Sequence, residues 1–401
     1  MTSASSALPV VHYRDRKRYL WLLSIFVPAL MNAGPLLYLL SHDVVMLWVP
    51  VAFNYIVMPL ADVLGGEDRS NPPESAIDAL EEDSYYRYIT YAVVPVLWIT
   101  YIFAAWFVSR HALPWYGELA VILTTGSAGG YCINVGHELG HKQTTLERWL
   151  AKIILAPTGY GHFTIEHNRG HHLDVATPGD SASARMGEGL WQFALREIPG
   201  AVERSWRLEK ERLARLLQSV WSLHNEILQP LLFTVVFYVA MVAWLGVRVL
   251  LFLVLSALWA NFQLTCANYV EHYGLLRRQS PDGSYERCQP YHSWNSNHMF
   301  SNWALFHLQR HSDHHTYPGR RYQSLRHFEQ LPTLPNGYFG MFTLAYFPPL
   351  WYRVMDPLLL RAVGGDPTRI NFQPAKREKL IKRYGLEPAD TFPGRSSTQS
   401  A

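Results

Sequence analysis

The chain has 401 residues, of which 49% are hydrophobic, 14% aromatic and 17% charged, and its net charge is +3. So small a net charge excludes a general nucleic-acid partner. Three cysteines, Cys132, Cys266 and Cys288, with no C-x-x-C spacing exclude a disulfide framework and a thiolate metal site.

The first feature along the chain is a basic cluster, Arg14, Arg16, Lys17 and Arg18, ahead of an apolar block. Six blocks reach the roughly 18 nearly uncharged residues that a bilayer-crossing helix needs. They run from Tyr19 to Leu40, Val44 to Leu64, Tyr88 to Ser109, Glu118 to Gly136, Ile227 to Val247 and Val249 to Val270. Short connections at 41–43, 110–116 and Arg248 join them into three helical hairpins. The other connections are long and polar. The basic N-terminus holds that end in the cytoplasm, and six spans then bring the long connections and the C-terminus to the same side. The expected fold is an all-α integral membrane protein, a six-helix bundle under a helical cytoplasmic cap. Residues 1–270 form the membrane region with an insertion at 137–226, residues 271–384 complete the cap, and 385–401 read as a disordered tail. Two softer apolar stretches, 149–165 and 334–352, are broken by Pro and Gly and read as interfacial segments rather than spans. Residues 65–87 form an acidic loop. The GSAGG at 126–130 lies inside a span and lacks the strand–helix setting of a dinucleotide site.

Eighteen histidines are the unusual quantity, and half of them fall in four clusters. GHELGH carries His137 and His141, EHNRGHH carries His167, His171 and His172, NYVEHYG carries His272, and LQRHSDHH carries His311, His314 and His315. The predicted topology puts all four at one mouth of the bundle. Imidazole is a common metal ligand. Residues four apart share a helix face, whereas neighbours diverge by roughly 100°. His171 is thus expected beside His167 with His172 pointing elsewhere, and His314 and His315 straddle His311. Such neighbouring pairs suit two metals, one histidine each. Nine ligands over two metals leave positions open for a small molecule; imidazole-rich ligation suits iron, zinc, copper or nickel, and open positions near a membrane suggest oxygen chemistry on iron. Glu138, Glu166, Asp174, Glu271 and Asp313 each stand beside a clustered histidine and are candidates to orient it. His307, one turn before His311, is the remaining histidine nearest to ligand spacing.

Other readings of the same residues exist. His137–Glu138–His141 alone matches the H-E-x-x-H of zinc hydrolases, with Glu138 as general base, and an intramembrane zinc protease would use it. That site needs one or two further ligands, not seven. A metal transporter would place its ligands within the spans. A lipid desaturase would share the whole metal arrangement.

With HELGH, HNRGHH and HSDHH in order, the chain resembles the histidine-box family of membrane di-iron oxygenases and desaturases. NYVEHYG and LQRHSDHH look like its alkane 1-monooxygenase branch, and the similarity runs from YLWLLS through GEDRSNPPE to YQSLRHF. The resemblance implies two non-heme iron ions held by His137, His141, His167, His171, His172, His272, His311, His314 and His315. It implies hydroxylation of the terminal carbon of medium-chain n-alkanes with O2, in a bacterial inner membrane. It implies electrons from rubredoxin, reduced in turn by an NAD(P)H-dependent rubredoxin reductase. An alkane has no polar handle, so an apolar channel must select the chain end. Ile133, Asn134, Leu264 and Thr265, near the ends of the fourth and sixth spans, are its candidates. Arg320, Arg321, Arg326 and the stretch Lys376–Arg383 are candidates to receive an acidic electron carrier.

Overall fold

The computed structural model describes residues 13–386, so most of the predicted tail lies outside the described residues. Six helices are long and apolar enough to cross a membrane: α1 (Leu20–Ser41), α2 (Val44–Gly65), α3 (Ser84–Arg110), α4 (Trp115–Gly140), and, after an insertion, α5 (Leu228–Leu245) and α6 (Arg248–His272). Among the described residues there is no β-sheet, only isolated bridges. The chain is thus an all-helical membrane protein.

The observed helices match the six apolar blocks but run past them at functional places. α3 begins at Ser84 because Asp83 caps it, accepting from the backbone N–H of Tyr85. α4 continues to Gly140 and α6 to His272. His137 and His272 therefore occupy the last turns of helices rather than the connections after them. Hydropathy ends where polar chemistry begins, but the backbone hydrogen-bond ladder does not. α1 is irregular. Pro28 lies inside it, and it alternates between α and 3-10 turns.

α4 is the central helix: 78% of its apolar window is buried, against 22% for α2 and for α5. Its glycines explain this. A Cβ on Gly126 would lie 2.6 Å from Trp259, and one on Gly136 would lie 2.8 Å from Leu155. The GSAGG run is thus a close-packing stripe against α6, not a phosphate loop. α5 shows Leu231, Leu232, Val235, Val236 and Val239 outward, as a helix facing lipid does.

The long polar segments gather at one end of the bundle. Lys17 and Arg18 pair with Asp68 and Asp83 of the first long connection. Arg310 donates to the carbonyls of Asp68 and Ser70, tying that connection to the last histidine cluster. At the opposite end Arg248 pairs with Glu118. The insertion holds α7 (Thr145–Leu155) and α8 (Leu190–Arg215), and the C-terminal part adds α9 (His311–Thr316), α10 (Tyr338–Ala345), α11 (Pro348–Ala362) and α12 (Arg377–Tyr384). At eight residues, α10 is too short to cross a bilayer.

Candidate metal centre

The four histidine clusters meet in one buried place and form two groups of four. His137, His141, His167 and His314 offer one nitrogen each, all within 4.8 Å of one another, and His171, His272, His311 and His315 do the same. His172 lies between the groups. Its Nε2 is 3.1 Å from that of His167, and its ring centroid is 4.4 Å from that of His315. His314 and His315 divide between the groups, as their divergence on α9 requires.

The HNRGHH segment departs from the regular helix expected of it. Residues His167–His171 form a π-turn, in which the N–H of His172 reaches the carbonyl of His167. The wider turn brings His172 under His167 and sends His171 to the other group. His171 does lie beside His167, their rings stacked with centroids 5.2 Å apart, but its ligating nitrogen belongs to the other group, and His172, expected to point elsewhere, also lies against His167.

Outer contacts separate the groups. His171 Nδ1 lies 3.0 Å from Asp180 Oδ2, and His272 Nδ1 lies 3.1 Å from the carbonyl of His292. Glu271 Oε2 is 3.4 Å from His311 Nε2. Burial alone would raise the Asp180 carboxyl, but the His171 imidazole, Ser183 and Arg204 hold it below the usual carboxylate range. Asp180 was not among the expected orienting residues; it arrives from a loop nine residues downstream, and no helical spacing marks it. Of the five expected, only Glu271 touches a clustered histidine. Glu138 pairs with Lys142 at 3.0 Å, Asp174 with Arg204, and Asp313 with Arg320 at 2.9 Å, while Glu166 lies 3.7 Å from Arg204. Glu138, engaged by Lys142, is not placed as the general base of a zinc hydrolase. His307 is buried against Trp21, accepted by the Tyr322 carbonyl, and joins neither group.

The donor set fits metal ions. His137 and His314 bring Nε2 atoms to 2.9 Å, and so do His311 and His315. The buried Nε2 atoms of His141 and His171 have no hydrogen-bond partner. Burial holds His141, His167, His172, His311, His314 and His315 well below the ordinary imidazole value, so they stay neutral and free to ligate. These clusters can hold metal.

A narrow, apolar cavity of about 80 Å³ runs between the helices to this place. Ile133, Asn134 and Leu264 are among its lining residues, and so are His137, His167, Glu271 and His311. Thr265 does not line it. One residue on from Leu264, it turns to the other side of α6 and donates to Glu197 Oε2 at 2.7 Å. Tyr131, Phe163, Ala267, Phe339 and Phe342 add apolar wall. The last two come from α10, whose composition had suggested only an interfacial segment.

Arg320, Arg321 and Arg326 are not a free basic surface. They pair with Asp313, with Glu147 at 2.8 Å, and with Glu74 and Asp313, and each side chain is at most 17% exposed.

Six apolar helices carrying this double histidine group define a membrane protein of the fatty acid desaturase class, and residues 112–345 match the family model of that description, fatty acid desaturase. That match holds all nine histidines. The chain is also 50% identical over 381 residues to alkane 1-monooxygenase 1 of Alcanivorax borkumensis, covering 94% of each. It is 48% identical over 385 residues to an alkane 1-monooxygenase of Pseudomonas putida, covering 96% of each. A third relative, the alkane 1-monooxygenase of Ectopseudomonas oleovorans, is 48% identical over 397 residues, 97% of this chain and 96% of that one. Within the desaturase class the chain belongs to the alkane 1-monooxygenase family, and it is an oxidoreductase.

Proposed function

We propose that this chain hydroxylates the terminal carbon of medium-chain n-alkanes, using O2 and two non-heme iron ions at the histidine groups. The overall reaction is R–CH3 + O2 + 2 e⁻ + 2 H⁺ → R–CH2OH + H2O. The observation that carries this reading is the apolar cavity lined in part by His137, His167, His311 and Glu271. An apolar cavity selects a chain by shape, and the end lined by histidines would present one terminal methyl to the metal groups. Bound iron would supply the oxidising power that the C–H bond demands. His137, His141, His167 and His314 would hold one iron and His171, His272, His311 and His315 the other, with His172 between them. Asp180 and the His292 carbonyl fix the tautomer of their imidazoles, leaving Nε2 free for metal. The aromatic wall from Phe163, Phe339 and Phe342 keeps water from the reacting carbon.

Two electrons per turnover must come from outside, since the chain carries no flavin or nicotinamide signature. A rubredoxin, kept reduced by an NAD(P)H-dependent reductase, meets that need. The polar end then faces the cytoplasm from a bacterial inner membrane, in keeping with the basic residues ahead of α1. Metal analysis of the detergent-purified protein tests the reading. About two irons per chain and a 1-alkanol product with reduced rubredoxin are expected; one zinc without iron would overturn it.

A further inference from the structure

One side chain from a separate helix brackets the HNRGHH segment. Arg204 stands in the middle of α8 and is only 6% exposed. Its Nη2 donates to the Gly170 carbonyl at 2.7 Å, inside the π-turn, and pairs with Asp174, two residues after His172. Its Nη1 donates to Asp180 Oδ1 at 3.0 Å and lies 3.7 Å from Glu166, the residue before His167. The contacts of one guanidinium thus fall before, within and after the stretch that carries three of the clustered histidines. His167 belongs to one group, His171 to the other, and His172 lies between them, so a shift of this stretch moves donors of both.

The surroundings are shaped to this guanidinium. Gly170 does not take a positive φ, so backbone freedom does not account for it. A Cβ there would lie 2.7 Å from Arg204 Nε and 3.1 Å from its Cζ, so the missing side chain is the room through which Arg204 reaches the turn. Asp180 divides its oxygens. Oδ1 accepts from Arg204, while Oδ2 accepts from Ser183 at 2.6 Å and faces His171 Nδ1. That carboxylate cannot rotate away from His171 without giving up Arg204 as well. A planar, five-donor fork can hold a carbonyl and two carboxylates at once, which a single ammonium on a flexible stem cannot. α8 also supplies a fixed reference. About two turns before Arg204, Glu197 accepts from Thr265 and Asn268 of α6, the helix that ends in His272.

We infer that Arg204 is a positioning residue for the metal centre: through the π-turn and Asp180 it sets where His167, His171 and His172 stand against the remaining histidines of both groups. The inference rests on the reading that these groups hold metal. Arg204 touches neither metal donor nor substrate and acts only through the groups it holds.

The test uses the full-length chain in detergent, stripped of metal and reloaded with cobalt(II), an ion whose visible spectrum reports its ligand geometry and which imidazole sites accept. Arg204→Lys and Gly170→Ala are made singly and together. Each single variant should shift the bound-cobalt spectrum and speed cobalt loss to a chelator by about tenfold or more. The double variant should lose cobalt no faster than the worse single one, because both changes break the same contact. Arg321→Lys, whose buried partner is Glu147 of α7, controls for the loss of an internal ion pair. Its spectrum and release should match wild type even where its melting temperature falls. Asp174→Asn loosens the same guanidinium from a side chain that is 45% exposed, and serves where Arg204→Lys yields no folded chain. It should give the same spectral shift, smaller. A wild-type spectrum and release rate in Arg204→Lys, or in Asp174→Asn where that variant stands in, would overturn the inference. So would a double variant whose acceleration is the product of the two single ones, since Arg204 would then not act through the turn. A wild-type chain that takes up no cobalt would count instead against the metal reading on which the inference rests.

Discussion

The two histidine groups are alike in donors and unlike in support. In the group of His171, His272, His311 and His315, two imidazoles are steered from behind, by Asp180 and by the His292 carbonyl. In the group of His137, His141, His167 and His314, no such outer hydrogen bond is found among the described residues; those rings pack on one another and on Phe163. A carboxylate behind an imidazole raises its basicity and fixes its orientation. The difference teaches that one group is held by polar contacts and the other by packing, so they should release metal unequally.

The severest way to break the comparison is to remove a ligand. His272→Ala and His314→Ala should each abolish turnover and lower bound iron, measured per chain by elemental analysis. Normal activity in either variant would remove that residue from the site. Asp180→Asn is next. It should weaken metal retention about 10- to 100-fold in a chelator challenge, whereas Glu138→Gln, whose partner is Lys142, should leave retention unchanged. Equal losses in both would erase the distinction between the groups. Ala267→Phe narrows the cavity without replacing a histidine. It should keep the iron content and shift alkanol products toward shorter chains in gas chromatography, and an unchanged product range would exclude this cavity as the substrate channel.

The smallest effect concerns Glu197, which braces α6 through Thr265 and Asn268. Burial pushes its carboxyl up to about 7, partly offset by those two hydrogen bonds. The folded state thus keeps a proton that the unfolded chain loses above its ordinary value, so stability falls as pH rises through that window and stays reduced above it. Glu197→Gln should leave turnover nearly intact. Its melting temperature should match wild type in acid and exceed it above neutral pH by about 1–3 kcal/mol of stability. A constant difference at all pH values would refute the shifted carboxyl.

The six spans and the nine clustered histidines were legible because each rests on local pattern: uninterrupted apolar length, and His at one-turn spacing. What sequence could not show depends on the third dimension or on a departure from regular geometry. The π-turn brings His172 against His167 as well as His171, with no residue to announce it. Asp180 reaches His171 through a loop. Thr265 and Leu264 are equally plausible as text, and only the rotation of α6 assigns one to the cavity and one to Glu197. Arg320, Arg321 and Arg326 read as a basic patch until their carboxylate partners fold against them.

The π-turn at His167–His171 has one more consequence. In a regular helix the register is a ruler with a fixed scale, and histidines along it diverge by a set angle, as His314 and His315 do on α9. One extra residue in the turn works as a vernier: it offsets the scale by a fraction, so a single short segment meets both groups and His172 falls between them. Deleting a residue there would do more than shorten a loop. Everything beyond it would turn by roughly 100°, carrying Asp174 from Arg204 and converting a shared strut between two centres into a ligand for one.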